Sequence, residues 1–365
     1  MPVPDDLPPL DELLADAHLV ALPLITRFRS IELREAMLLH GPLGWTEFSP
    51  FTEYGDSEAS TWLRAAIDFG WREPPAALRD RIPVNATLPA VRADEVVDVL
   101  TRYAGTRTVK VKVAEPGQQL ADDVARVKAT RAFLGPEGRI RVDANGGWNV
   151  DEAEHAAHAL AGFDLEYLEQ PCATVAELAE LRARLHDWQL PIAADESVRK
   201  ADDPLAVARA GAADLLVIKA QPLGGIHRAL SIVAEAGLPV VISSALDTSV
   251  GISMGAYLAA AIPELNYDCG LATVGLFECD VAVEPLVAVD GSIEVRRVEV
   301  NERVFREYSG SPDRDNWWRA RLERCLPSRS ASTRSWSPPS PREPRCRRCR
   351  SGSSATCSAR TRRRW

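Results

Sequence analysis

The chain has 365 residues, 46% of them hydrophobic, which is an ordinary composition for a soluble globular protein. Its formal net charge is −9, and because 11 Arg and one Glu lie in residues 327–365, the remainder is strongly acidic. An acidic body argues against nucleic acid as a partner. No stretch approaches the roughly 20 apolar residues of a membrane helix, and the N-terminus lacks the basic and apolar regions of a signal peptide, so we expect a cytoplasmic protein without membrane association.

The first part of the chain, residues 1–81, predicts an α+β domain. The segment after residue 10 indicates a short helix that runs into a strand. Apolar and polar residues alternate within 25–51, with a turn at 40–42, which is typical of an antiparallel meander. Residues 57–80 have the pattern of a helix. We expect this domain to precede a catalytic domain.

From residue 82 onward, apolar strand-like segments alternate with amphipathic segments rich in Ala, Leu, Arg and Glu. This alternation indicates parallel βαβ units. Eight strands of this kind predict a (β/α)7β TIM-like barrel over residues 82–271. The predicted strands are 82–90, 108–113, 139–145, 165–171, 191–197, 214–220, 240–246 and 265–271.

The C-terminal part returns to turns and short strands. Residues 272–326 end in a predicted helix, and we expect this segment to pack back on the N-terminal domain. Residues 327–365 contain Arg, Ser, Pro and Cys with almost no aliphatic residues, which predicts disorder. Out-of-frame translation of a GC-rich gene yields the same mixture, so we interpret this tail as a frameshift artefact. An arm for an anionic partner and a zinc site at Cys346 and Cys349 are the alternatives.

Five polar residues lie at the C-terminal ends of consecutive predicted strands. They are Lys112, Asp143, Glu169, Asp195 and Lys219. The steps from Asp143 to Glu169 and from Glu169 to Asp195 are both 26 residues, which is the length of one β/α unit. In a (β/α)₈ barrel these strand ends converge on one mouth, where the chemistry is done.

Three carboxylates in one mouth predict a divalent cation. Mg²⁺, or Mn²⁺ in its place, prefers carboxylate oxygens and keeps positions open for substrate. Asp143, Glu169 and Asp195 are therefore the candidate metal ligands. Any one of them alone would be interpreted as a helix cap or a surface acid. Glu196 follows Asp195 and should point the other way on an extended strand, so we interpret it as a supporting residue.

Two lysines on the second predicted strand share one face because side chains alternate along a strand. Lys112 is nearer the mouth and is the better candidate for a base, whereas Lys110 supports it by its charge. Lys219 ends the apolar run LLVI and is expected to face the same mouth. Two lysines that flank a bound carboxylate suit proton abstraction beside that carboxylate.

Further candidates lie on loops at the same end of the barrel. Asn145 shares the strand face of Asp143, and either a contact with the site or a simple turn role is open. Ser243 and Ser244 precede a predicted helix. Their hydroxyls and the first amides of that helix could hold a substrate carboxylate, although capping of the helix is an equal alternative. None of the six His residues falls at a predicted strand end, which argues against a zinc hydrolase and against a His base.

These residues and their surrounding phrases strongly resemble the enolase superfamily, in its muconate-lactonizing-enzyme-like subgroup with a Lys-x-Lys motif. The resemblance covers roughly residues 20–325 and implies an enolase-like barrel under an N-terminal capping domain. Loops of that cap, within 19–30 and 44–55, would close over a small-molecule substrate. The phrases that carry the resemblance are GPLGWTEFSPF, WREPPAAL, VKVKVAEPGQ, VDANGGWNVDEA, YLEQPC, ADES, IKAQPLGG, SSALDTSVG and CGLATVGLF.

The resemblance also implies an activity, that of a lyase. The expected reaction is the Mg²⁺-dependent syn dehydration of 2-succinyl-6-hydroxy-2,4-cyclohexadiene-1-carboxylate to 2-succinylbenzoate in menaquinone biosynthesis. It implies that Lys112 abstracts the proton and that Lys219 stabilises the developing charge. Racemisation of N-succinylamino acids, or another reaction of the muconate cycloisomerase type, is the alternative. An inactive barrel that serves as a scaffold predicts gaps in this set of residues, and no member is missing.

Overall fold

A three-stranded antiparallel sheet and two helices form the cap in the computed structural model, which describes residues 7–28, 31–200 and 203–326. The Arg-rich tail, residues 327–365, for which disorder was predicted, lies outside these ranges. Gly44 has a φ of +111°, which glycine adopts readily, and it allows the chain to reverse between the second and third strands. The expected meander is confirmed, but the helix predicted over 57–80 ends at Trp71. Two helices and three strands lie in this part of the chain. They are α1 (Leu10–Ala15), β1 (His18–Phe28), β2 (Ile31–Gly41), β3 (Gly44–Phe48) and α2 (Asp56–Trp71).

Seven parallel strands form a curled sheet in which each strand lies beside its predecessor in the chain. Helices connect them, as expected for a (β/α)-type barrel. The chain enters this part through β4 (Arg81–Pro83), which is not a strand of this sheet. The seven strands and their helices are β5 (Ala86–Leu88), α3 (Val96–Leu100), β6 (Thr108–Lys112), α4 (Leu120–Leu134), β7 (Arg139–Asp143), α5 (Val150–Leu160), β8 (Leu165–Glu169), α6 (Val175–Arg184), β9 (Ile192–Ala194), α7 (Glu196–Arg199), α8 (Ala206–Arg209), β10 (Leu215–Ile218), α9 (Ile226–Ala236), β11 (Val240–Ile242) and α10 (Ser249–Ala261).

The sheet closes through isolated bridges and not through a full eighth strand. Cys269 forms a parallel bridge with Val84, and Gly270 forms one with Ser243, so this segment lies between the two ends of the sheet. The predicted strand 265–271 is therefore wrong in length. A Cβ on Gly270 would lie 2.5 Å from the Ser243 hydroxyl oxygen, so the close approach that closes the barrel requires glycine at this position.

Other predicted strands are shorter in the structure than in the sequence analysis. The first one, 82–90, divides into β5, which belongs to the barrel, and β4, which pairs antiparallel with β12 (Ser292–Glu294) outside it. The strand predicted at 191–197 ends at Ala194, because Asp195 is the N-cap of the short helix α7. Extended structure therefore stops where the chain turns at the mouth of the barrel.

The C-terminal segment packs back on the cap, as expected. After α11 (Val304–Glu307), helix α12 (Pro312–Cys325) contacts α2 and β1. The Trp318 ring is completely buried and meets the Phe48 ring edge to face at 5.7 Å. Its Nε1 donates to Glu35 Oε2 at 3.0 Å, and Arg314 Nε donates to Glu35 Oε1 at 2.8 Å. In the described ranges, no helix has both the length and the apolar character needed to cross a membrane.

Replacing Trp318 by Ala should lower the free energy of unfolding by about 3–5 kcal/mol, because the substitution leaves a cavity in the cap core. Chemical denaturation of the purified variant measures this loss. Trp188→Ala is the matched control, since that ring is 47% exposed and stacks on His158 at the surface. Equal losses for the two variants would contradict a structural role for α12 in the cap.

Candidate active site

One row of side chains crosses three neighbouring strands at the mouth of the barrel. Lys112 on β6 is in register with Asp143 on β7, and Asp143 is in register with Glu169 on β8. The three residues are at most 7% exposed. Parallel pairing thus brings a lysine and two carboxylates side by side, and the Lys112 ammonium donates to Asp143 Oδ2.

Lys110 lies two residues before Lys112 and faces the same interior. Its Nζ is 2.9 Å from Glu169 Oε1 and 3.6 Å from Asp143 Oδ2. Burial opposes the charged form of this lysine, but the two carboxylates outweigh burial and raise its pKa. Lys110 is therefore a fixed positive charge beneath the row.

Glu169 lies in a crowded, negatively charged environment. Burial, followed by the neighbouring Asp143 carboxylate, raises the pKa of Glu169 to about 7, although Lys110 opposes the change. Carboxylates this close to each other favour the binding of a proton or of a further cation.

Asp195 and Lys219 form a second group across the barrel from Lys112. Lys219 Nζ donates to Asp195 Oδ2 at 2.6 Å, and Arg199 Nε donates to Asp195 Oδ1 at 3.1 Å. Burial opposes ionisation of Asp195, but these two cations dominate and lower its pKa. Arg199 was not among the site residues predicted from the sequence, although its position four residues after Asp195 would place the two on one face of a helix.

Glu196 and Asn145 connect the two groups. Asn145 Oδ1 accepts from Lys112 Nζ at 2.9 Å, and Asn145 Nδ2 donates to Glu196 Oε1 at 3.2 Å. Glu196 Oε1 also accepts from Arg199 Nη2 at 2.6 Å. The expectation that Glu196 points away on an extended strand is wrong, because Glu196 is the first residue of α7. Asn145 contacts site residues, and its φ of +49° belongs to a turn, so the contact and turn alternatives both describe it.

A small cavity lies above these groups. Ser243 and Ser244 line it, but the Ser244 hydroxyl already donates to Gly270 O at 2.7 Å. One alternative raised from the sequence was that the first amides of α10 hold a substrate carboxylate. They are not available for this, because the amides of Thr248 and Gly251 both donate to Glu47. The complete lining is Phe28, Phe51, Thr87, Lys110, Lys112, Arg199, Lys219, Ser243, Ser244, Ala245, Leu246, Gly270 and Thr273.

The cap contributes two aromatic side chains to the cavity wall. Both lie within the loop ranges predicted from the sequence, 19–30 and 44–55, where no single residue had been named. Phe28 ends β1, and its ring centre is 5.4 Å from Lys112 Nζ. Phe51 follows β3 and lines the same cavity. A second cavity lies along residues 26–28 and 89–91 and also reaches Lys112. The lysine is therefore accessible from the side on which the cap meets the barrel.

Comparisons with known proteins agree with this architecture. The family model described as "Enolase C-terminal domain-like" matches residues 92–299, and the model described as "Enolase N-terminal domain-like" matches residues 19–70. The o-succinylbenzoate synthase of Mycobacterium marinum is 54% identical over 328 residues, which cover 90% of this chain and 97% of the relative. That of Mycolicibacterium smegmatis is 55% identical over 320 residues, which cover 87% and 98%.

This chain belongs to the o-succinylbenzoate synthase family of the enolase superfamily. Solved structures share the fold of the family at lower identity. Muconate lactonizing enzyme from Pseudomonas fluorescens, in complex with muconolactone, has a TM-score of 0.68 at 21% identity and covers 80% of this chain and 98% of its own. N-succinyl Arg/Lys racemase from Bacillus cereus has a TM-score of 0.67 at 20% identity, with coverages of 80% and 96%.

Enzymes of the enolase superfamily generally use a divalent metal, and the donor set at this mouth is of the matching kind. Asp143, Glu169 and Asp195 supply buried carboxylate oxygens, which hard divalent cations prefer. In the part of the chain that the structure describes, no three Asp, Glu, His or Cys side chains lie in a metal-holding arrangement. The ammonium groups of Lys110, Lys112 and Lys219 lie against these oxygens instead. The ligand roles of the three acids remain predictions.

Replacing Arg199 by Ala should lower the free energy of unfolding by about 3–5 kcal/mol, because it breaks a buried contact with two carboxylates. Chemical denaturation of the metal-free protein measures the change. Arg182→Ala is the matched control: its side chain is 45% exposed beside Asp214, and its loss should cost less than about 1 kcal/mol. Similar losses for both variants would contradict the importance of the Arg199 contact.

Proposed function

We propose that this enzyme is an o-succinylbenzoate synthase, a lyase that dehydrates 2-succinyl-6-hydroxy-2,4-cyclohexadiene-1-carboxylate to 2-succinylbenzoate in menaquinone biosynthesis. The observation that carries the proposal is the pair of lysines, Lys112 and Lys219, on opposite sides of one cavity. Beneath them, three buried carboxylates accept hydrogen bonds from Lys110, Lys112 and Lys219. Relatives that are 54–55% identical over about 90% of the chain carry the name of this activity, which supports the choice of substrate.

Lys112 is the proposed base. Its Nζ lines the cavity, and hydrogen bonds to Asp143 and Asn145 fix its position. Once Lys112 has lost a proton to solvent, the α-proton of the substrate carboxylate would pass to the lone pair of the neutral amine, which becomes an ammonium again. Two hydrogen bonds fix the position of this base, so little conformational entropy is lost when it reaches the geometry for proton transfer.

The elimination then needs no second acid. Once the C–H bond has broken, its electron pair forms the new ring double bond and the C–O bond to the hydroxyl group breaks. Because the eliminated groups leave from one face, the protonated Lys112 returns its proton to the departing hydroxide, which leaves as water. The ring becomes aromatic, so the step is strongly downhill and the protein supplies mainly position and charge.

Lys219 is the proposed electrostatic partner. Strands β6 and β10 are four positions apart in the sheet order, so Lys219 lies across the barrel from Lys112. Hydrogen bonding to Asp195 holds its ammonium group at the cavity wall. From that position the positive charge, together with a cation–π contact, stabilises the electron-rich ring as the proton leaves.

Asp143, Glu169 and Asp195 are the proposed ligands of Mg²⁺, with Mn²⁺ as a substitute. When bound, the cation neutralises the negative charge that develops on the substrate carboxylate. Lys110 and Arg199 hold Glu169 and Asp195 in place. Glu196 and Asn145 are the proposed supporting residues, and Ser243 and Ser244 the proposed substrate-facing ones.

Racemisation of N-succinylamino acids is the second candidate. Two lysines on opposite sides of a cavity can act as bases on opposite faces of one α-carbon, and a structural neighbour is titled N-succinyl Arg/Lys racemase. In that reaction Lys112 and Lys219 would have equivalent roles, whereas dehydration uses Lys112 alone as a base.

A side-by-side steady-state assay tests the proposed function. We expect fast dehydration of the cyclohexadiene substrate, negligible racemisation of an N-succinylamino acid, and loss of dehydration after chelation that Mg²⁺ restores. Comparable or faster racemisation would favour the second candidate. Full dehydration activity after exhaustive chelation would contradict the metal proposal.

Replacing Lys112 by Ala should lower kcat for dehydration by about 10²–10⁴-fold, because proton transfer loses its base. Lys219→Ala should also be severely impaired, because it removes the opposing charge. Steady-state kinetics with Lys128→Ala, an exposed lysine on α4, as the control measure both effects. Near-normal turnover of Lys112→Ala would show that another group takes the proton.

A further inference from the structure

Two charged residues of the cap are buried just outside the cavity and contact the barrel. Arg34 on β2 is 3% exposed, and Glu47 on β3 is completely buried. Neither lines the cavity described above. Burial of a charged group is unfavourable unless it is well hydrogen bonded, so the partners of these two residues show what they hold in place.

Glu47 caps a helix of the barrel from the other domain. Its Oε2 accepts from the main-chain amides of Thr248 at 3.1 Å and Gly251 at 3.0 Å, which are the N-cap and third residues of α10. Its Oε1 accepts from the Ser49 hydroxyl at 2.5 Å. A carboxylate at a helix N-terminus satisfies amides that have no partner within the helix.

Arg34 connects the two segments on either side of that carboxylate. Its Nε donates to Leu246 O at 3.0 Å, and its Nη2 donates to Ala245 O at 3.4 Å and to Ser49 O. The guanidinium carbon lies 4.5 Å from the centre of the Phe51 ring. One side chain thus holds a barrel wall and a cap wall of the cavity against each other.

The barrel segment that Arg34 contacts, residues 245–246, has a strained backbone that these hydrogen bonds stabilise. Leu246 has a φ of +61°, a left-handed conformation that is unfavourable for a leucine. Burial and the neighbouring Asp247 carboxylate raise the pKa of Glu47 to about 7, while the hydrogen bonds from Ser49 and Thr248 oppose this change. A Cβ on Gly251 would lie 2.9 Å from Glu47 Oε2 and 2.7 Å from Asp247 Cβ, so the packing leaves no room for adjustment.

We propose that Arg34 and Glu47 are positioning residues that fix the cavity wall formed by Ala245, Leu246 and Phe51. They act on the substrate through this wall and not by contact. The inference deepens the proposed function and, in its kinetic part, rests on it. Loss of either residue should weaken substrate binding more than it slows the chemical step, because the base and the carboxylates lie on other strands.

Glu47→Gln tests this role with the smallest change of shape. If the NH₂ group of the new amide faces α10, it meets amide donors and those amides lose their acceptor. If it faces Ser49, it lies beside the Gln221 Nε2 donor and the Ser49 hydroxyl has to turn from donor to acceptor. We expect KM for dehydration to rise at least fivefold with kcat changed less than twofold. We also expect hydrogen exchange of the amides in 245–251, measured by mass spectrometry without substrate, to become faster.

Asp68→Asn is the matched control. Asp68 on α2 is another link from cap to barrel, and its side chain is only 11% exposed. It accepts from His227 Nδ1 at 2.9 Å and from the His227 amide at 3.3 Å, and it lines neither cavity. This variant should lower the melting temperature and leave KM unchanged. If Glu47→Gln behaves in the same way, with KM and exchange in 245–251 unchanged, the positioning role is overturned.

Ser49→Ala keeps the test valid if Glu47→Gln does not fold. It removes only the hydroxyl that donates to Glu47 and accepts from Arg34 at 3.2 Å, and it should raise KM by a smaller factor. An unchanged KM would overturn the proposal. If the wild-type enzyme does not dehydrate the substrate, the proposed function fails. Faster exchange confined to 245–251 in the variant would then still support the positioning role.

Discussion

The pairing of buried charges at the C-terminal end of the parallel sheet is the constraint on which the rest of the structure depends. Four acids and four bases meet at this mouth, and the contacts of Lys110, Lys219 and Arg199 with their carboxylates are short enough to offset part of the cost of removing charge from water. Such contacts require each strand to stop at a defined register. The short strands and the turn into α7 at Asp195 follow from this requirement.

The function of the cap depends on the same mouth, because the cap covers the polar side chains that lie there. Phe28 and Phe51 extend over the lysine and form an apolar cover around the polar floor. An apolar cover lowers the local dielectric constant and strengthens the interaction of the buried charges with a substrate carboxylate. The cap therefore contributes to the chemistry although the carboxylates and the lysines all lie on the barrel.

The sequence alone was sufficient for the repeating part of the structure and insufficient for the contacts between distant segments. Strand periodicity located Lys112, Asp143 and Glu169 because a parallel sheet places equivalent strand ends together. The same reasoning failed for Glu196, since the strand predicted to reach residue 197 ends at Ala194, three residues earlier. Arg34 and Glu47 could not be predicted, because their partners are about 200 residues away and nothing in the local pattern specifies them. The tail lies beyond the described residues, so its interpretation stays a prediction.

Helix α12 has a consequence for how the protein is made. Arg314 and Trp318 complete the cap core around Glu35, which lies 279 and 283 positions earlier in the chain. At a synthesis rate of about 5–20 residues per second, roughly 15–55 s pass between the synthesis of the cap sheet and the synthesis of α12. During that interval its apolar face, including Met37, Leu39 and Phe48, has no α12 to cover it. Newly made chains should therefore depend on molecular chaperones at this face, and translation speed should influence how many of them reach the folded state.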